Sequence, residues 1–409
     1  MTQRRVLCVS YGAGHIAMVL PVIRALRERH PDWHIDLMAL TTAAHVARAQ
    51  GFECLGYRDF ASAYDPVQLQ RLAAPLLVDA AHPQVDPAES LAYLGINMHE
   101  LVERWGEAHA LERYRERGRW AFMPVRFMES VMRQLRPDVI VTTNSPRSEQ
   151  AAIEAGRLLG IPSLCMVDLF SPPGDPFLGR KLYADALTTI NELGKRNLAM
   201  AGIPRERIHV TGSPAFDGLA SRDRIADAAA ERKRLGWEGL KIVLWAGNME
   251  AFLPNEGPMS DPFYFPHEVE RILREFVRAN ADTALLVRYH PNQVQHFSVR
   301  PPQERVLWVD PLARAAHLDV QMVDLVVVNG STIGLEAAIA GKSVLSMDNS
   351  PSQHVFPLSE FGVSRGVPSF EQLAPMVRAA LDAPHASSFS GQTGAAAPRV
   401  VDVVESLVI

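Results

Sequence analysis

One pattern recurs along this chain: a short apolar run, a tight polar or glycine-rich corner, then a stretch with helical periodicity. Val6–Ser10 is such a run, Tyr11–His15 (Tyr-Gly-Ala-Gly-His) is the corner, and Ala17–Arg29 is the helical stretch. His34–Leu40, Ala43–Gln50 and Cys54–Tyr57 continue as strand, helix and short third strand. Strands that alternate with helices pair in parallel and are covered on both faces. An α/β class with doubly wound parallel sheets is therefore expected.

The alternation stops at about residue 60 and resumes at Pro137. Between them lie helical patterns with no convincing strand. From Leu101 to Arg136 arginines outnumber glutamates, and Trp105, Tyr114, Trp120, Phe122 and Phe127 are interleaved with them. Two readings are open for this insertion. One is a helical subdomain whose long arginines lie along its wet face. The other is a contact for an acceptor or a membrane surface.

After the insertion the order is strand Asp138–Thr142, a helix start at Ser145-Pro146, helix Glu149–Leu159, strand Ser163–Leu169, a Pro/Gly-rich loop from Ser171, strand Ala186–Ile190, helix Leu193–Ala201 and strand Ile208–Thr211. A capping hydroxyl followed by proline is a common way to open a helix. A polar helical stretch then leads to a new first strand, Lys241–Trp245, ending in Ala246-Gly247-Asn248. A proline-rich loop covers 252–266. Beyond it come helix 267–280, strands 284–289 and 306–309, helix 312–322, strand 324–328, helix 332–340, strand 343–347 and a last helix at about 369–382. An Ala/Ser/Gly-rich stretch, 386–397, reads as a linker, and Val400–Val408 has two domains to pack on. The expected domains are 1–215, with the insertion at about 60–136, then 216–384, with 385–409 as linker and terminal segment.

Size agrees with two domains. The chain has 409 residues, and single cores stop growing at about 250–300. A net charge of −5 argues against a nucleic-acid partner. Cys8, Cys54 and Cys165 are scattered without metal or redox spacing, which suits a reducing compartment. The first residues run into a strand without an apolar leader, and no apolar run approaches membrane-spanning length, so a cytoplasmic location is expected.

Ligands of open parallel sheets bind beyond the carboxyl ends of the strands, near helix N-termini. There, unpaired N–H groups and the positive end of the helix dipole suit phosphate. The strand ending at Val328 opens onto Asn329-Gly330-Ser331-Thr332, and Glu336 follows one turn later. Two readings are open: simple capping by Ser331 or Thr332, or a phosphate corner whose carboxylate holds ribose hydroxyls. Arg288-Tyr289-His290-Pro291 ends another strand with a cation and an imidazole. In the first domain, two glycines place His15 at a corner, where a neutral imidazole can take a proton from a hydroxyl. The corner is not a dinucleotide site, because Leu40-Thr41-Thr42 stands where a ribose-binding acid is needed.

In order and spacing these corners resemble the GT-B fold of nucleotide-sugar glycosyltransferases and UDP-N-acetylglucosamine 2-epimerases. The resemblance covers nearly the whole chain apart from the insertion and the tail. It implies two Rossmann-like domains facing across a cleft. Gly14-His15 with Pro21 is similar to the Gly-His…Pro start of UDP-sugar transferases, where the histidine is often the base. Thr211-Gly212-Ser213-Pro214-Ala215-Phe216-Asp217 is similar to the join between domains. Arg288 with His290-Pro291 is similar to a strand end of bacterial polysaccharide transferases. Gly330, Ser331, Thr332, Glu336 and Gly341-Lys342 are similar to the donor corner that binds pyrophosphate and ribose. Gln353 falls near a donor-sugar glutamine.

The resemblance thus implies His15 as the base and Gly247, Asn248, Arg288, His290, Gly330, Ser331, Thr332, Glu336 and Gln353 on the donor. Gly12, Gly14, Asn144 and Asp168 would stand on the acceptor side. It implies no metal and no cofactor beyond the nucleotide-sugar co-substrate. The acceptor would be a hydroxyl of a glycan, a lipid-linked sugar or a small molecule, with a peripheral membrane contact open. Two departures stand out. Transferases often pair the histidine with an aspartate at a later strand end, and Thr143-Asn144 offers none. The 2-epimerases carry acids in a Gly-Asp-Thr-like corner, and Asn144-Ser145 replaces it, which argues against that activity. Glycosyl transfer is the expected function. A hydrolysing UDP-N-acetylhexosamine 2-epimerase and a non-catalytic nucleotide-sugar-binding subunit are the alternatives.

Overall fold

The computed structural model describes residues 3–77, 84–171, 184–219, 222–297, 300–384 and 396–408. The chain forms two compact units, Met1–Asp217 with Gln392–Ile409, and Gly218–Gly391.

The first unit runs β1 (Arg5–Tyr11), α1 (Ala13–Arg29), β2 (His34–Leu40), α2 (Thr42–Ala49), α3 (Pro66–Leu77), α4 (Pro87–Trp105), α5 (Glu107–Arg117), α6 (Val125–Leu135), β3 (Val139–Thr143), α7 (Ser148–Leu159), β4 (Ser163–Met166), β5 (Ala186–Thr189), α8 (Glu192–Met200) and β6 (Ile208–Val210). Its six-stranded sheet has the order β2-β1-β3-β4-β5-β6, with every pairing parallel. β1 and β3 are buried along almost their whole length, as central parallel strands must be. Their carboxyl ends lie side by side despite the long insertion between them in sequence.

The second unit runs α9 (Arg222–Arg234), β7 (Lys241–Gly247), α10 (Tyr264–Ala279), β8 (Thr283–Tyr289), β9 (Val306–Trp308), α11 (Ala316–Met322), β10 (Leu325–Val328), α12 (Thr332–Ile339), β11 (Ser343–Met347), β12 (Arg365–Val367) and α13 (Phe370–Asp382). Its sheet order is β12-β11-β10-β7-β8-β9, again parallel throughout.

A final helix, α14 (Ala396–Val408), belongs to the first unit. Val400, Val401 and Val404 join the apolar cluster of Leu20, Ile23 and Leu26 on α1. Asp217 caps its start, accepting from the N–H groups of Ala396 and Ala397 at 3.0 and 2.8 Å. A carboxylate at a helix N-terminus satisfies orphan donors and complements the dipole. That contact gives the aspartate of the Thr-Gly-x-Pro-x-x-Asp stretch a structural task.

Several expected elements are corrected. Cys54–Tyr57 is not a strand: Leu55 makes an isolated bridge to Met38, and Tyr57–Ala63 is a 3-10 turn. Buried Glu89 takes the N–H groups of Tyr57 and Arg58 at 2.8 and 3.1 Å, so these donors are used up away from the sheet edge. Ser145-Pro146 does not open a helix, because α7 starts at Ser148 with Arg147 at its N-cap in a left-handed conformation, φ 75°. The proline-rich loop ends earlier than expected, and α10 starts at Tyr264. Pro266 lies in its first turn, where the missing N–H has no intrahelical acceptor to lose. The helix expected from 312 starts at Ala316. Strand β12 was not expected, and residues 396 and 397 of the expected linker are helical. Most of the linker, and the loop from 172 to 180, lie outside the described residues.

No described helix is long and apolar enough to cross a membrane. Tyr93, Phe122 and Phe127 of the insertion build an aromatic core with Tyr57, while Trp105 and Trp120 stay at the surface.

Candidate functional site

In the first unit the corner is built where β1 and β3 end. Gly12 turns the chain at φ 89°, a conformation that costs side-chain-bearing residues, and α1 starts at once with no side-chain cap. Its first-turn amides therefore lack a capping acceptor. His15, half-buried, reaches back across the strand ends: its Nδ1 lies 2.7 Å from the Thr143 hydroxyl. Thr143 in turn donates that hydroxyl to Glu149. The carboxylate also accepts the N–H of Tyr11 at 2.5 Å and of Thr143 at 2.8 Å, so it staples the two strand ends together.

These contacts define the imidazole. A hydroxyl has one proton, and a carboxylate only accepts. With Glu149 ionised, the Thr143 proton goes to Glu149, His15 donates from Nδ1, and Nε2 is left as the acceptor. Glu149 is fully buried. Burial raises its pKa above the usual carboxylate value, while the charge of His15, the Thr143 hydroxyl and the two backbone donors pull the other way. The missing acid partner of His15 is thus corrected. It is Glu149, six residues beyond Thr143 in sequence and acting through its hydroxyl. The expected acid position was the strand end itself, so a glutamate at the second position of the following helix gave no visible signal.

Asn144 is buried, and its side-chain oxygen accepts the N–H of Asp168 at 3.3 Å, tying the ends of β3 and β4 together. Gly14 is exposed at the helix start and Gly12 half-buried beside it.

In the second unit the structure brings the corners after β7 and β10 into direct contact. Asn248 donates its N–H to the Asn329 side chain at 2.8 Å, and Asn329 donates back to the Asn248 carbonyl at 2.7 Å. Beneath this pair lies Glu250, a buried residue the sequence reading missed. It accepts from Asn329 at 2.9 Å, from the Ser350 hydroxyl at 2.8 Å and from the Ser352 N–H at 3.0 Å. Gln293, in the turn after β8, accepts the N–H of Met249 at 3.0 Å. Loops after β7, β8, β10 and β11 are so laced into one surface. Gln353 is half-buried in the 3-10 turn after Ser352.

Gly330 sits at φ 66° with open space where a side chain would stand. Ser331 caps α12, accepting from the Ile333 N–H at 3.3 Å, and Thr332 is exposed at the helix start. Capping is therefore real, and it leaves the mouth beside Gly330 and Thr332 open. Glu336 is half-buried on the next turn. Desolvation pushes its carboxyl up to about 7, against the opposing pull of the Arg288 and Arg224 charges.

Two expected donor residues have other occupations. The Arg288 guanidinium is buried and donates to Asp319 at 2.8 Å and to the carbonyls of Arg314 and Pro311 at 2.9 and 3.3 Å. It acts on Glu336 through its charge. Gly247 is required by packing, because a side chain there would meet Trp245 and Tyr289 at 2.8 Å. His290 is exposed at the strand end. Desolvation, then the Arg288 charge, hold it below the ordinary imidazole range. Among the described residues no group of three or more His, Cys, Asp or Glu side chains is placed to hold a metal ion.

No protein-family model matches the chain, and no curated protein matches it in sequence. Solved structures match it end to end at low identity. S. aureus MnaA, solved with UDP, has 14% identity and a TM-score of 0.62, covering 100% of this chain and 98% of its own. UDP-GlcNAc 2-epimerase from Neisseria meningitidis, bound to UDP-GlcNAc, has 13% identity and a TM-score of 0.62, covering 98% and 100%. The wall teichoic acid polymerase TagF has 10% identity and a TM-score of 0.52, covering 99% and 89%. With its two six-stranded parallel Rossmann-like units, this chain has the GT-B fold.

Proposed function

We propose that this chain is an enzyme that breaks the bond between a sugar and the diphosphate of a nucleotide sugar, with His15 moving the proton. The observation that carries the reading is the His15–Thr143–Glu149 relay. It fixes one tautomer and leaves Nε2 of a half-buried imidazole ready to accept a proton, the arrangement a general base needs. The second unit supplies nucleotide chemistry. Gly330 and the amides at the start of α12 suit a diphosphate. The Glu336 carboxylate suits the paired hydroxyls of a ribose. Asn248, Ser331 and Thr332 belong to that corner, His290 and Gln353 on the loops after β8 and β11 are the other donor candidates, and Glu250 joins the loops after β7, β10 and β11.

Two fates for the sugar follow from the same proton transfer. In 2-epimerisation, Nε2 takes the proton from C2 as the C1–diphosphate bond breaks. Water then adds back, with C2 protonated on the opposite face, and free nucleoside diphosphate leaves with the epimerised sugar. In glycosyl transfer, Nε2 takes the proton of an acceptor hydroxyl as its oxygen bonds C1 and the diphosphate leaves. Epimerisation is the leading reading, because the matched 2-epimerase spans both chains with the higher TM-score. The sequence objection to it is also weaker now that an acid stands behind His15. Transfer is favoured by the Asn144 side chain, which is committed to the Asp168 N–H where the epimerases carry an acid.

Incubation with UDP-GlcNAc and other UDP-sugars, followed by NMR of the products, separates them. Free UDP with a 2-epimer in the absence of any acceptor establishes epimerisation. Turnover that requires an added hydroxyl compound establishes transfer. Nucleotide binding without turnover under either condition overturns the enzymatic reading.

A further inference from the structure

The helical insertion reaches the corner that holds His15. Its 3-10 turn, Gly118–Ala121, carries Arg119 and Trp120. Arg119 meets the side chain of Tyr11, the last residue of β1. Arg147, from the loop between β3 and α7, also packs on Tyr11: its guanidinium carbon is 4.2 Å from the ring centroid, and 5.9 Å from that of Trp120. Tyr11 leads directly into Gly12 and the uncapped start of α1.

Four features set this pair apart. Arg147 holds φ 75°, ψ −117°, a region where a non-glycine residue is strained and which clusters at functional sites. Its Nε is buried without a hydrogen-bond partner. Arg119, Arg147 and Tyr11 are half-buried, so the charges are only partly screened by water. Among the described residues no carboxylate forms an ion pair with either guanidinium, whereas Arg126 and Arg133 of the same insertion are paired with Glu103 and Glu129. Glu149, two residues from Arg147, is committed to Tyr11, Thr143 and the His15 relay. Two like charges gathered on one phenol repel each other, and an anion between them removes that repulsion. The planar guanidinium fork suits phosphate and carboxylate oxygens.

We propose that Arg119 and Arg147 form a subsite for a phosphate or carboxylate group on the substrate that reaches His15. The insertion would then serve substrate choice, by placing Arg119 and Trp120 at the catalytic corner. The substrate assignment rests on the proposed role of His15; anion binding by itself does not.

Calorimetric titration with inorganic phosphate tests it. Wild-type protein is expected to bind phosphate, and Arg119→Gln/Arg147→Gln to bind it at least about tenfold more weakly, the loss expected for one charged hydrogen bond or more. Arg126→Gln, altered in the same insertion at an exposed arginine already paired with Glu103, should bind phosphate as wild type does. Arg147→Lys keeps the charge without the fork, should fold as wild type and bind between the two. Repeating the titration in saturating UDP assigns the source. Persisting phosphate binding marks an anion on a second substrate, and its loss marks the nucleotide's own diphosphate as the occupant. Equal phosphate affinity in the wild type and the double variant, or no phosphate binding by the wild type at millimolar concentrations, overturns the subsite. His15→Ala separates the two readings. It should keep phosphate binding and lose turnover, so retained turnover overturns the base and leaves the anion site standing.

Discussion

His15 Nδ1 and the Thr143 hydroxyl lie 2.7 Å apart, and through that hydroxyl the imidazole is joined to a carboxylate buried beneath two strand ends. The pair comes from opposite sides of a long insertion, and the adjacency of β1 and β3 alone brings it together.

Thr143→Val keeps the shape and removes the hydroxyl. His15 then loses the partner that sets its tautomer, and kcat should fall on the order of tenfold or more, short of the about hundredfold or greater loss expected for His15→Ala. KM for the nucleotide sugar should change little. Steady-state kinetics across pH test this. An unaltered pH–rate profile in Thr143→Val would show that the relay is only structural.

Glu336 ties binding and stability to pH. Its pKa is raised from 4.5 to about 7 by desolvation, so the protonated form favours the folded state. The stability this contributes is present below the unfolded value of 4.5 and is lost as pH rises through about 7. Against Glu336→Gln, wild-type Tm should therefore fall between those limits. A ribose needs an acceptor, so wild-type UDP affinity should rise over the same range while the variant's stays flat. Parallel calorimetry of the two proteins checks both signs.

Gly247 and Gly330 should fail in different ways. Alanine at 247 drives a methyl into Trp245 and Tyr289, and overpacking of this kind costs about 1–3 kcal/mol of stability. Alanine at 330 meets no atom, and its left-handed backbone costs roughly 1 kcal/mol. It does, however, narrow the mouth proposed for the diphosphate. Denaturant melts should single out Gly247→Ala, and UDP titrations should single out Gly330→Ala. The opposite pairing would refute the division of roles.

Arg288→Ala takes one of two arginine partners from Asp319, which is fully buried and keeps Arg314 at 2.5 Å. With Arg314 retained, the loss should fall short of the about 3–5 kcal/mol expected when a buried charge is left with no partner. Arg288→Met with Asp319→Leu should recover much of it. If the double variant refolds and still binds UDP, Arg288 acts as a framework residue. A refolded protein that has lost UDP would return Arg288 to the donor site.

Much of the framework could be read in advance. Alternating buried strands and helices leave a local trace, so most elements appear within a residue or two of their expected bounds. The misreadings occur where a distant residue intervenes. Cys54–Tyr57 has strand composition, but Glu89, 32 positions away from Tyr57, takes the backbone donors. Ser145-Pro146 has the chemistry of a helix start, yet the chain makes one more turn, and Arg147 takes the strained position. His15, Gly330 and Glu336 stand at strand-end corners as expected. Arg288 and Gly247, picked by the same logic, are engaged by Asp319 and by aromatic packing, which motif spacing cannot report.

The amino-acid order alone determined the two parallel sheets and the positions of their corners, because strand burial and turn chemistry act over a few residues. Only the tertiary structure decided who serves whom at those corners. Glu149 supports His15 because β3 lies beside β1 across a gap of 138 positions to Tyr11. Asn329 braces Asn248 because β10 lies beside β7. Pairings of that range are set by strand order, which no local stretch encodes.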